Sequence, residues 1–222
     1  MNFFRSRLIA PFAALALTAV TLGFSAPLAH AEEQSEESSL AAVRNKCDFR
    51  SDMRKLWEDH VTWTRLFIIS SAANLPDKAV TTQRLLKNQV DLGNAIMPFY
   101  GRAAGVRLTA LLTDHILIAS RVVDAAKARD MRRFRLVALQ WRANADQIAV
   151  FLSGANPRHW GVAALRAMMH EHLRVTTLEA STYLQGNYAA SVAAYDQVRL
   201  QALHMADTLS SGIILQFPLA FR

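Results

Sequence analysis

From near Phe49 to the C-terminus, apolar residues recur at spacings of three and four, and nowhere do they alternate with polar ones over the length of a strand. That period is the mark of helices with one apolar face. Five breaks interrupt it. They are Asn74-Leu75-Pro76-Asp77, the segment PFYGRAAG from Pro98 to Gly105, Ala128-Arg129-Asp130, Ser153-Gly154-Ala155-Asn156-Pro157 and Gln185-Gly186-Asn187. Each carries residues that stop or cap helices. The pattern therefore predicts an all-α fold of six helices of about twenty residues, joined as three antiparallel hairpins.

The helices resemble one another. Leu56-Trp57-Glu58-Asp59-His60-Val61, Leu111-Leu112-Thr113-Asp114-His115-Ile116 and Met168-Met169-His170-Glu171-His172-Leu173 share the order apolar, apolar, any, acid, His, apolar. His60 and His115 are 55 residues apart, and His115 and His172 are 57 apart. A near-constant period of this length predicts an internal repeat with one hairpin per unit.

All three histidines sit in apolar stripes, such as Leu108, Leu111, Leu112, His115, Ile118 and Val122, and should point inward. The neighbouring acids Asp59, Asp114 and Glu171 are turned about 100° away and should lie on the flank. On antiparallel helices, residues equidistant from the turn lie level. The 31-residue separations then set His60 opposite Asp91 and His115 opposite Asp146. In the third unit Asp207 follows His172 by 35 and misses the turn's midpoint, so Gln201, His204 and Asp196 compete with it as partner.

A buried imidazole needs partners for its ring nitrogens, and an aspartate would fix its tautomer. On this reading the pairs are structural and set the register of the bundle. A second reading takes His60, His115, His172, Asp91, Asp146 and Asp207 as ligands of a transition metal, since imidazole and carboxylate suit zinc, copper, iron or nickel. Spacing weighs against it: there is no Glu-x-x-His or His-Glu-x-x-His, and His170 and His172 are about 200° apart on one helix. Met168, Met169 and Met205 read as core filling, and the tryptophans Trp57, Trp63, Trp141 and Trp160 as core or hairpin-end packing. His204 and Asp207 read as a helix-end polar contact.

The N-terminus adds a location. Arg5 and Arg7, an apolar run from Leu8 to Phe24 and the small-x-small triplet Ala29-His30-Ala31 predict a signal peptide, residues 1–31, and export to the periplasm or outside the cell. The run contains Pro11 and is short for a membrane span, so no stable anchor is expected after cleavage. Residues 32–48 open with EEQSEESS and read as a disordered acidic leader before a single domain, 49–222. Cys47, the one cysteine, can form no internal disulfide and lies too far from the cut to be a lipid attachment site.

The formal charge of +7 is spread along the chain. Its densest cluster, Lys127, Arg129, Arg132, Arg133 and Arg135, reads as a solvated turn between helices, and without interleaved aromatics no nucleic-acid partner is expected. No Gly-x-Ser-x-Gly elbow, phosphate-cradling loop or dinucleotide fingerprint is present, and no nucleophile stands at a usable spacing from the histidines.

The stretches Trp57-Glu58-Asp59-His60-Val61-Thr62-Trp63-Thr64-Arg65, Leu85-Leu86-Lys87-Asn88-Gln89-Val90-Asp91, Pro98-Phe99-Tyr100-Gly101 and Met205-Ala206-Asp207-Thr208-Leu209-Ser210 resemble an uncharacterised family of bacterial proteins with exported and non-exported members. The likeness runs from about Leu56 to Phe221. It implies no established activity, and the transferase-type names some members carry match no motif here. The expectation is a non-enzymatic bundle, without a cofactor, that binds a protein or small-molecule ligand.

Overall fold

The computed structural model describes residues 26–222, with side chains described from residue 38 onward. The described residues are helical almost throughout and contain no strand. The elements are α1 (Ala26–Ala72), α2 (Lys78–Lys127), α3 (Met131–Ala155), α4 (Val162–Leu184) and α5 (Tyr188–Gln216), followed by a 3-10 turn, Pro218–Phe221. The compact unit treated below is Ser39–Arg222; the described residues before it belong to another unit. No helix among the described residues is long and apolar enough to cross a membrane. The apolar run of the expected signal peptide lies outside the described residues.

Residues 32–48, expected as a leader, lie within α1. The segment has no Gly or Pro, and its Glu, Gln and Ala are good helix formers, so nothing in its backbone chemistry stops the helix. Among the described residues there are five α-helical elements, the chain from Lys78 to Lys127 being one of them although it departs from helical geometry at Gly101 (φ 82°, ψ 165°).

That departure is sharp. A side chain added at Gly93 would meet the Gly105 carbonyl oxygen at 2.7 Å and Thr109 Oγ1 at 2.0 Å, and Thr109 Oγ1 lies 3.5 Å from the Gln89 carbonyl. In a straight helix, residues twelve apart are about 18 Å apart. The two halves of α2 therefore double back and lie side by side. Gly101 supplies a backbone conformation open essentially to glycine alone, and Gly93 and Gly105 let the two backbones touch.

The other breaks stand where the punctuation residues are. Asn74 (φ 54°) and Arg129 (φ 56°) take the left-handed conformation after α1 and α2. Asp130 accepts a hydrogen bond from the Arg133 amide (2.9 Å) and Asn187 one from the Ala190 amide (3.1 Å), capping α3 and α5. Contacts from α5 to α1 complete the unit: Arg199 with Glu58 (2.7 Å), Arg54 with Asp207 (2.6 Å) and Tyr195 with Thr62 (3.2 Å). At one end Phe49, Phe99, Phe217 and Phe221 form an aromatic plug with ring centroids 5.2 to 5.6 Å apart.

Candidate functional site

His60, His115 and His172 meet inside the bundle, each 3 to 4% exposed. The His172 ring lies 5.7 Å from that of His60 and 6.3 Å from that of His115, centroid to centroid, the latter pair stacked at 29°. The apolar stripes carry them there, since most neighbours on the same face, such as Trp57, Leu108, Leu112, Leu165 and Met169, are core residues.

Each is held by an amide. His115 Nδ1–H donates to Asn144 Oδ1 (2.7 Å), and Asn144 Nδ2–H donates to the Leu111 carbonyl (3.1 Å). His172 Nδ1–H donates to Gln201 Oε1 (3.0 Å), whose Nε2–H donates to the Met168 carbonyl (3.0 Å). At His60, Nδ1 lies 3.3 Å from Gln89 Nε2, while the adjacent Asn88 Nδ2–H donates to the Leu56 carbonyl (2.9 Å). The histidine-to-amide separation is 29 residues in all three cases, and the accepting carbonyl is always four residues before the histidine. His115 has a further partner, because Trp141 Nε1–H donates to its Nε2 (3.1 Å).

The expected aspartates are not there. Asp91 pairs with Lys87 (2.9 Å), Asp146 with His170 (2.9 Å) and Asp207 with Arg54 (2.6 Å), all on partly exposed faces. Equal distance from a turn fixes only height along the helix. Asp91 and Asp146 sit two residues beyond Gln89 and Asn144, which is about 200° of rotation for each two-residue step, so they are level with the histidines but face away. Of the alternatives in the third unit, Gln201 is the partner; His204 and Asp196 are not. Energetics favour the amide too, since a neutral imidazole and a neutral amide satisfy each other without burying charge.

Burial keeps these rings uncharged. It is the main cause pushing the His115 pKa down to about 3, helped by the nearby His172 and opposed by the Asn144 hydrogen bond. His60 and His172 are lowered for the same first reason, His60 also by the other two rings.

Above and below the layer the interior is apolar. Residues seven and three before each histidine, Met53 and Trp57, Leu108 and Leu112, and Leu165 and Met169, line a cavity of about 30 Å³. Those four and eight after, Thr64 and Ile68, Ala119 and Val123, and Thr176 and Ala180, line one of about 40 Å³. Each has one buried polar atom without a protein partner, Trp57 Nε1 and Thr176 Oγ1. A stable buried water needs two to four partners, so neither cavity is built to hold one.

Among the described residues no group of three or more His, Cys, Asp or Glu side chains is arranged to hold an ion. The three rings gather, but the three aspartates do not join them, and His115 Nε2 already accepts from Trp141.

Sequence reasoning named Gln201 among the candidates but missed Gln89, Asn88, Asn144 and one acid. Asn88 and Asn144 stand in the apolar stripes Leu85, Asn88, Leu92, Ile96 and Trp141, Asn144, Ile148, Leu152, a legible signal, whereas Asp91 and Asp146 stand off them. Glu179, seven residues after His172 and fully buried, bonds Arg65 Nη1–H (2.8 Å). Burial raises its pKa to about 7 against the lowering by Arg65. In the other units its place is taken by Phe67 and Val122.

Comparison of the chain with models of known protein families, with curated proteins and with solved structures finds no match.

Proposed function

We propose that this chain is an exported, non-enzymatic bundle of three helical hairpins which binds a protein or small-molecule partner on its outer surface, its histidine layer acting as an internal clamp. The two halves of α2 then count as separate helices, the second of the first hairpin and the first of the second. The carrying observation is the contact of each histidine with an amide 29 residues later; for His115 and His172 that same amide bonds the carbonyl four residues before the histidine, and beside His60 the adjacent Asn88 does so. Such a unit ties the two helices of a hairpin in register. It leaves no activated nucleophile and no open cavity at the layer, which a catalytic site would need.

A metal-binding reading has one point in its favour, the approach of the three rings. Second-shell amides on Nδ1 also suit ligand histidines. Elemental analysis of untagged protein, against a variant with His60, His115 and His172 all changed to Ala, separates the two. The clamp reading expects no stoichiometric metal in either protein. One metal per chain, lost in the variant, would overturn it.

A further inference from the structure

The basic turn before α3 and the outward face of that helix form a single surface. Arg129, Arg132, Arg133, Arg135 and Arg142 form no ion pair among the described residues, a state they share with Arg102, Arg107 and Arg121, but here five such cations fall within fourteen residues of one turn and helix. The only acid from Ala128 to Ala145 is Asp130, which is occupied in capping α3.

Between these cations the surface is apolar rather than merely solvated. Met131 and Leu136 are 55% exposed and Leu139 65%. Leu139 lies about 200° around the helix from the buried Trp141, so it stands at the outward apex, with Arg132, Arg135 and Arg142 beside it at helical spacing. Alongside runs an open groove of about 510 Å³ with Phe134, Trp141 and Leu173 in its floor and Arg135 and Arg142 on its rim.

We propose that this face docks on an anionic phospholipid surface, its guanidiniums at the phosphates and Leu136 and Leu139 in the interfacial layer. A nucleic acid would use the charge but leave the leucines in water, and an interfacial helix uses both. The cations are unpaired, so no internal acid has to be displaced. The proposal goes beyond the partner-binding reading and fails or stands separately from it. It fails if vesicles are not bound, whatever the histidines do, while that reading fails on stoichiometric metal, whatever vesicles do.

Flotation of the full untagged chain with vesicles of phosphatidylglycerol and phosphatidylcholine, and with phosphatidylcholine alone, tests it. Binding to the anionic vesicles only is expected, weakening as salt rises. The combined variant Arg132→Gln, Arg135→Gln, Arg142→Gln should lose about a hundredfold in affinity at roughly 1 kcal/mol per cation. A control of equal charge, Arg102→Gln, Arg107→Gln, Arg121→Gln, should change it less than about threefold by the same reasoning. Leu139→Ser, with the charge unchanged, should also weaken binding, and melting curves of each variant report folding. Equal losses in the two triple variants, indifference to Leu139→Ser, or equal binding to neutral vesicles would each overturn the proposal.

Discussion

A neutral imidazole can be buried cheaply only if its nitrogens find partners, and removing it strands those partners. His115→Ala leaves Asn144 Oδ1 and the Trp141 indole without the ring they bond. A loss of about 1 to 3 kcal/mol is expected in chemical denaturation. Asp91→Asn, in a partly exposed pair with Lys87, should stay within about 0.5 kcal/mol. The pH dependence has a definite sign. His115 has a pKa of about 3 when folded and an ordinary value of 6.5, so the unfolded chain binds more protons between those limits. Stability from this ring is present above pH 6.5 and lost as pH falls toward 3, and His60 and His172 act in the same direction. Glu179 acts oppositely: with its pKa raised from 4.5 to about 7, its contribution is present below pH 4.5 and lost as pH rises through 7. Denaturation midpoints measured across pH 4 to 8 should therefore show that Glu179→Gln removes a decline on the neutral side while leaving the acid-side loss in place.

At the level of the elements, glycine chemistry decides where α2 folds back. Gly101→Ala puts a side chain at φ 82°, ψ 165° with open space around it, so the cost, about 1 to 3 kcal/mol, is pure backbone strain. Gly93→Ala instead drives a methyl into Thr109 and the Gly105 carbonyl, and should cost a similar 1 to 3 kcal/mol or so by overpacking. Thermal melts of both variants check this, and wild-type stability for either would mean that the close approach or the bend is absent. The helical class and four of the breaks were legible because apolar period and capping chemistry agree along the chain. The bend at PFYGRAAG was legible as a break, but Pro98 lies inside the helix and Gly101 alone takes the non-helical turn, a distinction that depends on backbone angles rather than residue types. The helical start of α1 was not legible from its charge and serine content, which report the absence of a core rather than the absence of a helix.

In the whole molecule, three apolar stripes deliver three polar rings to one level, and one offset repeats around them. The inward aim of the histidines could be read from the stripes; their partners could not be read from turn midpoints, which give height without rotation. Asn88 and Asn144 could have been found as amides inserted in otherwise apolar stripes, Gln201 was already a candidate from the turn midpoint, and Gln89 follows only once the common offset is known. Glu179 carried no such mark, because a glutamate on a helix is ordinarily solvated and only its register with Phe67 and Val122 places it inside. The outer surface, by contrast, varies around the ring, and the cationic face of α3 has no counterpart among the regularities of the interior.

The clamp is tested most directly by nitrogen NMR of the side-chain imidazoles in the folded protein as pH is lowered from 7 to 4. The account expects His115 and His172 as neutral rings with the proton on Nδ1, His115 holding its shifts throughout that range, since its pKa lies at about 3. Titration of His115 near its ordinary 6.5, with both nitrogens exchanging freely with solvent, would contradict a closed histidine layer.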